Sequence, residues 1–251
     1  GRQAIANFNV ASYRGRYADL RSAFGNNLKA YYDHYRINGY AEGRVATGST
    51  ELQNPTTVYN GVDYKLVYDY NYYINKYPDI KAAFNGDENA TLRHFVECGM
   101  NEGRQGKASF NVAAYRANYA DLRSAFGRNL KAYYMHYIGS GYREGRKATG
   151  NGVLKNPVTV YNGVDYSLVY DYNYYISKYS DLKAAFYGDD TAALRHFVEC
   201  GMNEGRQAKD SFNVKNYKKR YKDLQNAFGN DLKSYYMHYI GSGYKEGRKG
   251  N

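Results

Sequence analysis

Five copies of one unit occupy most of this 251-residue chain, and that repetition constrains its fold more than any single motif does. The copies run 8–44, 68–104, 110–146, 170–206 and 212–248, and each ends in Glu-Gly-Arg. Their starts are spaced alternately by 60 and 42 residues, which gives a longer period of 102. Copies opening on Phe8, Phe110 and Phe212 are called A1, A2 and A3; those opening on Tyr68 and Tyr170 are B1 and B2. A unit this short cannot bury its own apolar face, so such chains fold by stacking each copy on its neighbours. The extra length falls between A and B copies, at 45–67 and 147–169. The chain opens on Gly1-Arg2-Gln3, which reads as the tail of a preceding Glu-Gly-Arg-Gln.

Three register positions hold Asn or Asp in every copy: in A1 they are Asn9, Asp19 and Asn27. Short Asx side chains accept hydrogen bonds from the orphan donors of a helix start, so all three read as N-caps. The expectation is three short helices per copy, near 10–17, 20–24 and 28–38 in A1. Tyr13 with Tyr17, Leu20 with Ala23 and Phe24, and Leu28 with Tyr32 and Tyr35 supply the apolar spacing for them. Gly39 and its counterparts stand where a left-handed C-terminal cap is expected. In the two inserts, Asn60-Gly61 and Asn162-Gly163 separate β-prone runs and predict type I′ hairpins, with Pro55 and Pro157 just before the first strand. The fold class is therefore mainly α: a tandem array of five three-short-helix units with two small β-hairpin inserts.

Tyrosine dominates the apolar content, 33 residues against 10 Phe and no Trp, and it buries a ring while keeping a hydroxyl within reach of a partner. The net charge of +11 favours anionic partners. The densest basic run, Lys215 to Lys222, reads as a solvated helix face and does not call for nucleic acid. No segment is long and apolar enough for membrane insertion.

Repetition also recasts the residues that could carry chemistry. All five histidines (His34, His94, His136, His196, His238) share one register position, as expected of packing or of a helix-end hydrogen bond. His94 with Cys98, and His196 with Cys200, lie i,i+4, yet a zinc site needs three or four ligands and no further ones are at hand. Cys98 and Cys200 read as free, partly buried thiols. Glu42, Glu102, Glu144, Glu204 and Glu246 each precede an arginine by two residues, a spacing that suits an ion pair or a clamp between units better than a general acid. The reading is non-enzymatic, with no catalytic residue, no metal and no cofactor. What remains is tyrosine in excess of the apolar stripe: Tyr31, Tyr133 and Tyr235; Tyr72 and Tyr174; and Tyr59 and Tyr161 beside the hairpin turns. Exposed tyrosine offers flat amphipathic contact area at low entropic cost, so these seven are the candidate ligand-binding residues.

The Glu-Gly-Arg endings, the HFVECGMNEGR and YMHYIGSGY segments and the VYNGVDYSLVYDYNYYISKYSDLKAAF run together resemble a repeat module of secreted Gram-positive gut anaerobes. That module follows lysozyme-like or amidase-like domains and also occurs in surface proteins, some of them immunoglobulin-binding and superantigen-like. The resemblance implies an extracellular, non-catalytic binding array. Its partner would be cell-wall glycan or an anionic wall polymer, or alternatively host immunoglobulin; a structural spacer is a third possibility.

Overall fold

The computed structural model describes residues 6–84 and 86–251, so the Gly1-Arg2-Gln3 reading lies outside the described residues. Each copy folds as expected into three α-helices, here of seven residues each; in A1 they are Val10–Arg16, Ala18–Phe24 and Leu28–His34. The third helix then continues as one π-helical turn, Tyr35–Gly39 in A1, and the same order recurs in all five copies. The chain divides into two compact units, Gly1–Val112 with Asn129–Thr149, and Ala113–Arg128 with Gly150–Asn251.

Two of the three expected caps form. Asn9 accepts from the amides of Ala11 and Ser12, and Asp69, Asp171 and Asn213 cap their first helices in the same way. Asn27, Asp87, Asn129, Asp189 and Asp231 cap the third helices. The middle position is a correction. Tyr17, Tyr119, Tyr179 and Tyr221 occupy the cap of the second helix without a side-chain bond, and Asp19 and its counterparts lie inside the first turn. There they favour the positive end of the helix dipole and stay free to pair elsewhere.

Gly39 is a second correction, because it is helical rather than left-handed. A Cβ on Gly39 would lie 2.1 Å from the Tyr13 hydroxyl, and one on Gly243 2.1 Å from that of Tyr217. The glycine is there for close approach. The left-handed residue is the glycine of Glu-Gly-Arg, with φ of 70° at Gly43 and 73° at Gly103. The π turn carries Tyr40 N–H to Tyr35 O and Arg44 N–H to Gly39 O, each five residues back.

Each copy closes on itself. The amide of its first Asx residue donates to a carbonyl just beyond the terminal arginine: Asn9 to Ala46, Asp69 to Gly106, Asp171 to Ala208 and Asn213 to Gly250. Inside A1, Phe8, Tyr13 and Tyr35 pack ring against ring, with centroids 4.7–5.6 Å apart. The B copies exchange the chemistry and keep the rings, with Tyr68 for Phe8 and Phe95 for Tyr35. The exchange leaves the hydroxyls of Tyr68 and Tyr170 buried without a partner. Ala23 and Leu28 of the expected A1 stripe are exposed, Leu28 by 37%.

The inserts form the expected hairpins, Val58–Tyr59 with Val62–Asp63 and Val160–Tyr161 with Val164–Asp165. Asn60 and Gly61 take φ of 47° and 77°, as a type I′ turn requires. Arg21 joins A1, the insert and B1. Its buried guanidinium donates to Glu88 Oε1 at 2.7 Å, to the carbonyls of Arg14 and Gly15, and to those of Gln53 and Asn54. Arg123 does the same in the second unit, pairing with Asp190 at 3.2 Å and reaching Lys155 and Asn156. The passage from a B copy to the next A copy differs. In the first unit Phe95 meets Tyr134 edge-on, the Tyr134 hydroxyl donates to Arg104 O, and Lys131 reaches Val96 O. Phe197, Tyr236, Arg206, Lys233 and Val198 repeat this in the second.

Candidate functional site

The histidines and the Glu-Gly-Arg charges are engaged in the scaffold. Histidine Nδ1 sits 2.9 Å from the Tyr13 hydroxyl at His34, and likewise at His238 with Tyr217. His94 and His196 hold Tyr73 and Tyr175 in the same way at 3.3 and 3.2 Å. This bond ties the first helix to the third inside a copy, next to the glycine that makes room for it.

The Glu-Gly-Arg arginine forms the expected ion pair in every copy, and the clasp it makes lies within the copy and not between units. Arg44 donates through Nε to Glu42 and through Nη1 to Asp19, and lies over the Tyr17 ring at 4.8 Å. Arg104, Arg206 and Arg248 repeat the pairing with Asp79, Asp181 and Asp223. The displaced middle Asx thus holds the end of its own copy. The arginine bond holds the carboxyls of Asp79, Asp181 and Asp223 below the usual carboxylate range. Arg146 and Arg248 likewise depress Glu144 and Glu246, so these carboxyls are held ionised and do not serve as proton donors near neutrality. Cys98 and Cys200 are free and exposed, where partial burial was expected. Among the described residues no cluster of three or more His, Cys, Asp or Glu is placed to hold a metal ion.

The seven candidate tyrosines separate into three groups. Tyr31, Tyr133 and Tyr235 are 0% exposed, so they offer no surface to a ligand. The hydroxyls of Tyr31 and Tyr235 donate to Gly25 O and Gly229 O, and each ring meets Phe24 or Phe228 edge-on. The second member of the Tyr-Tyr pair is buried as well in A2 and A3, at Tyr134 and Tyr236, and half-buried at Tyr32 in A1. Thr91 and Ala193 occupy the position of Tyr31 in B copies and are equally buried. Tyr72 and Tyr174 are half-buried; Lys76 and Lys178 lie over their rings at 5.2 and 5.1 Å and donate to their hydroxyls. Tyr59 and Tyr161 are also half-buried, and their hydroxyls donate to Glu97 and Glu199 in the π turns of B1 and B2. Beside them Val58 and Val160 are 55% and 54% exposed.

The most exposed rings are ones the sequence reading passed over. Tyr40, Tyr142 and Tyr244 follow the π turn in A1, A2 and A3 and are 71%, 57% and 57% exposed. B copies place the buried Met100 and Met202 there. The A–B difference was the available signal: an aromatic that replaces a core methionine only in A copies is not a core residue. Charge follows the same division. A1, A2 and A3 hold six, six and eight Lys and Arg against three, two and three Asp and Glu, whereas B1 and B2 each hold four against six. The excess positive charge of the chain therefore resides on the A copies, where the exposed tyrosines are. Arg143 and Lys245, next to Tyr142 and Tyr244, are both exposed.

Comparison of the chain with protein-family models, with curated proteins and with solved structures finds no match to any of them. No helix among the described residues is long and apolar enough to cross a membrane.

Proposed function

We propose that this chain is a non-catalytic binding region of a secreted or surface-attached bacterial protein, and that it anchors that protein to an anionic cell-wall polymer. The observation that carries this reading is the coincidence, in all three A copies, of a net positive charge with a solvent-exposed tyrosine at one fixed register position. A repetitive polyanionic glycan offers charges for the former and sugar faces for the latter. Repeated weak sites on one chain act by avidity, because the first contact raises the effective concentration for the next.

The test is co-sedimentation with purified Gram-positive cell walls, intact and stripped of their anionic polymer. Binding to intact walls at low salt, weakened by added salt and by stripping, is the expected result. Joint Tyr40→Ser, Tyr142→Ser and Tyr244→Ser substitution lowers affinity at least about tenfold, the loss of about 1.4 kcal/mol in all. Failure to sediment with intact walls at low salt overturns the proposal. The exposed Val58 and Val160, each beside a tyrosine anchored on a rigid hairpin, favour a second reading in which a host protein such as immunoglobulin docks there. A pull-down with human immunoglobulin tests it, and Val58→Glu with Val160→Glu removes the signal if it is right.

A further inference from the structure

We infer that A2 and B2 together form a site for a small oxyanion of the phosphate class, organised by Arg116. The side chain is 8% exposed, yet its Nε and Nη2 have no hydrogen-bond partner in the protein. It lines a cavity of about 300 Å³ whose wall includes Arg123 and whose rim carries the exposed Ser124 and Thr191. A buried guanidinium with open donors calls for an acceptor, and an anion satisfies its charge as well as its geometry.

The other A copies show what Arg116 lacks. In A1 the equivalent Arg14 shares the open Nε, but its Nη2 donates to Asn26 Oδ1 at 2.6 Å and to Gly86 O at 3.0 Å. In A3 the equivalent Lys218 donates to Asn230 Oδ1 at 2.8 Å. Asn26 and Asn230 correspond to Arg128 in A2. A2 thus replaces a cation with its amide acceptor by two cations. Arg128 itself is held by Ala185 O and by Asp189, and it supplies a cation where A1 and A3 have an amide acceptor.

The cavity also contains carboxylates, and their commitments limit what they can do. Asp190 Oδ2 already accepts from Arg123 Nε and from Val158 N, and Asp189 Oδ1 caps Ala192. No hydrogen bond joins either carboxylate to Arg116 Nε or Nη2. The planar donor edge of Arg116, the Ser124 and Thr191 hydroxyls and the half-open rim suit one phosphate-sized group. Among the described residues the arrangement occurs once. It is therefore distinct from the repeated tyrosine surface and is tested without cell walls.

Isothermal titration of the full chain with inorganic phosphate, against chloride at matched ionic strength, is the direct experiment. The expected result is one saturable equivalent per chain, with a phosphate-dependent rise in Tm that chloride does not reproduce. Arg128→Asn restores the A1 arrangement and gives Arg116 its missing acceptor; it keeps or raises the Tm in chloride and weakens phosphate binding at least tenfold. Arg116→Gln abolishes phosphate binding while leaving circular dichroism unchanged. No saturable phosphate response in the parent chain, which would mean that solvent satisfies Arg116, overturns the inference. So does phosphate binding that survives Arg128→Asn undiminished.

Discussion

Substituting Arg21 by Gln tests how A1, its insert and B1 are held together. The replacement is one the chain itself uses, since A3 has Gln225 at this position. Gln225 donates to Lys218 O at 2.8 Å and Lys219 O at 3.3 Å, the counterparts of the Arg14 and Gly15 carbonyls. Arg21→Gln therefore preserves the bonds within A1 and removes the others: Glu88 Oε1 at 2.7 Å, Gln53 O at 2.7 Å and the longer contact to Asn54. The Arg21 side chain is 3% exposed and that of Glu88 13%, so Glu88 is left ionised in a dry site with only Thr56 N bonded to it. Removing one partner of a buried pair costs about 3–5 kcal/mol, most of it the desolvated charge left behind. Adding Glu88→Gln takes away that charge and should recover a large part of the loss, whereas Glu88→Gln alone is destabilising.

Native-state hydrogen exchange locates the effect. The amides of Gln53 and Thr56 bond to Gly15 O and to Glu88, and both should lose protection by two to three orders of magnitude in the single variant. Amides of A3 should not respond. A cost below about 1 kcal/mol with unchanged protection at Gln53 and Thr56 would refute the claim that a buried guanidinium forms this joint.

Gly243→Ala places a methyl against the Tyr217 hydroxyl, breaks its bond to His238 and should cost about 1–3 kcal/mol; Tyr217→Phe in the same chain should recover part of it in urea denaturation. Tyr68→Phe removes a buried hydroxyl that has no partner, and should be neutral or stabilising by about 1 kcal/mol in the same assay. Burial pushes the phenols of Tyr13, Tyr70 and Tyr172 up to about 12, above the 10.0 of the unfolded chain. The folded state therefore holds more protons than the unfolded one between pH 10 and 12. Stability is undiminished below pH 10 and falls through that window, by up to about 1.4 kcal/mol per pH unit for each such ring. Urea midpoints and tyrosinate absorbance should fall and rise together there; titration of these rings near pH 10 without loss of helix would contradict it.

The fold was legible in the sequence wherever a local signal had only one physical use. Asn-Gly between β-prone runs makes a type I′ turn, and an Asx residue one step before an apolar helix makes a cap. The same letters misled where tertiary contact decided their role. Asp19 looked like Asn9 and Asn27, but its carboxylate serves an arginine 25 residues away, a pairing that no local spacing discloses. Gly39 sits at the end of a helical pattern, as a left-handed cap would. That it admits the hydroxyl of Tyr13 becomes visible only when the first and third helices are brought together. The π turn was hidden because apolar residues at i and i+4 suit α and π geometry alike. The site was less legible than the fold. Tyr31 reads as surplus to the apolar stripe, yet its register position is buried in A and B copies alike, as Thr91 and Ala193 show in the latter. Tyr40, Tyr142 and Tyr244 were missed although Met100 and Met202 marked them as different.

The alternation of copies has a physical use that explains why neither type is repeated alone. An A copy presents a guanidinium, Arg21 or Arg123, that needs a carboxylate, and the following B copy supplies Glu88 or Asp190. A B copy presents Phe95 or Phe197 and a row of helix carbonyls, and the following A copy supplies a tyrosine edge and a lysine, Lys131 or Lys233. An A-to-A joint would leave that arginine without a carboxylate, because Leu28, Leu130 and Leu232 stand where a B copy has Glu88 or Asp190. The acidic B copies are thus the complement of the basic A copies, and they consume the charge the scaffold needs. In A3 the positions on which an insert rests in A1, Gly15 and Arg21, are Lys219 and Gln225. A Cβ at Gly15 would stand 2.7 Å from Glu51 O, and in A2 the same position, Ala117, is 1% exposed beneath its insert, so a lysine there has no room under an insert seated in either way. Lys215, Lys219, Arg220 and Lys222 of A3 instead stand in solvent.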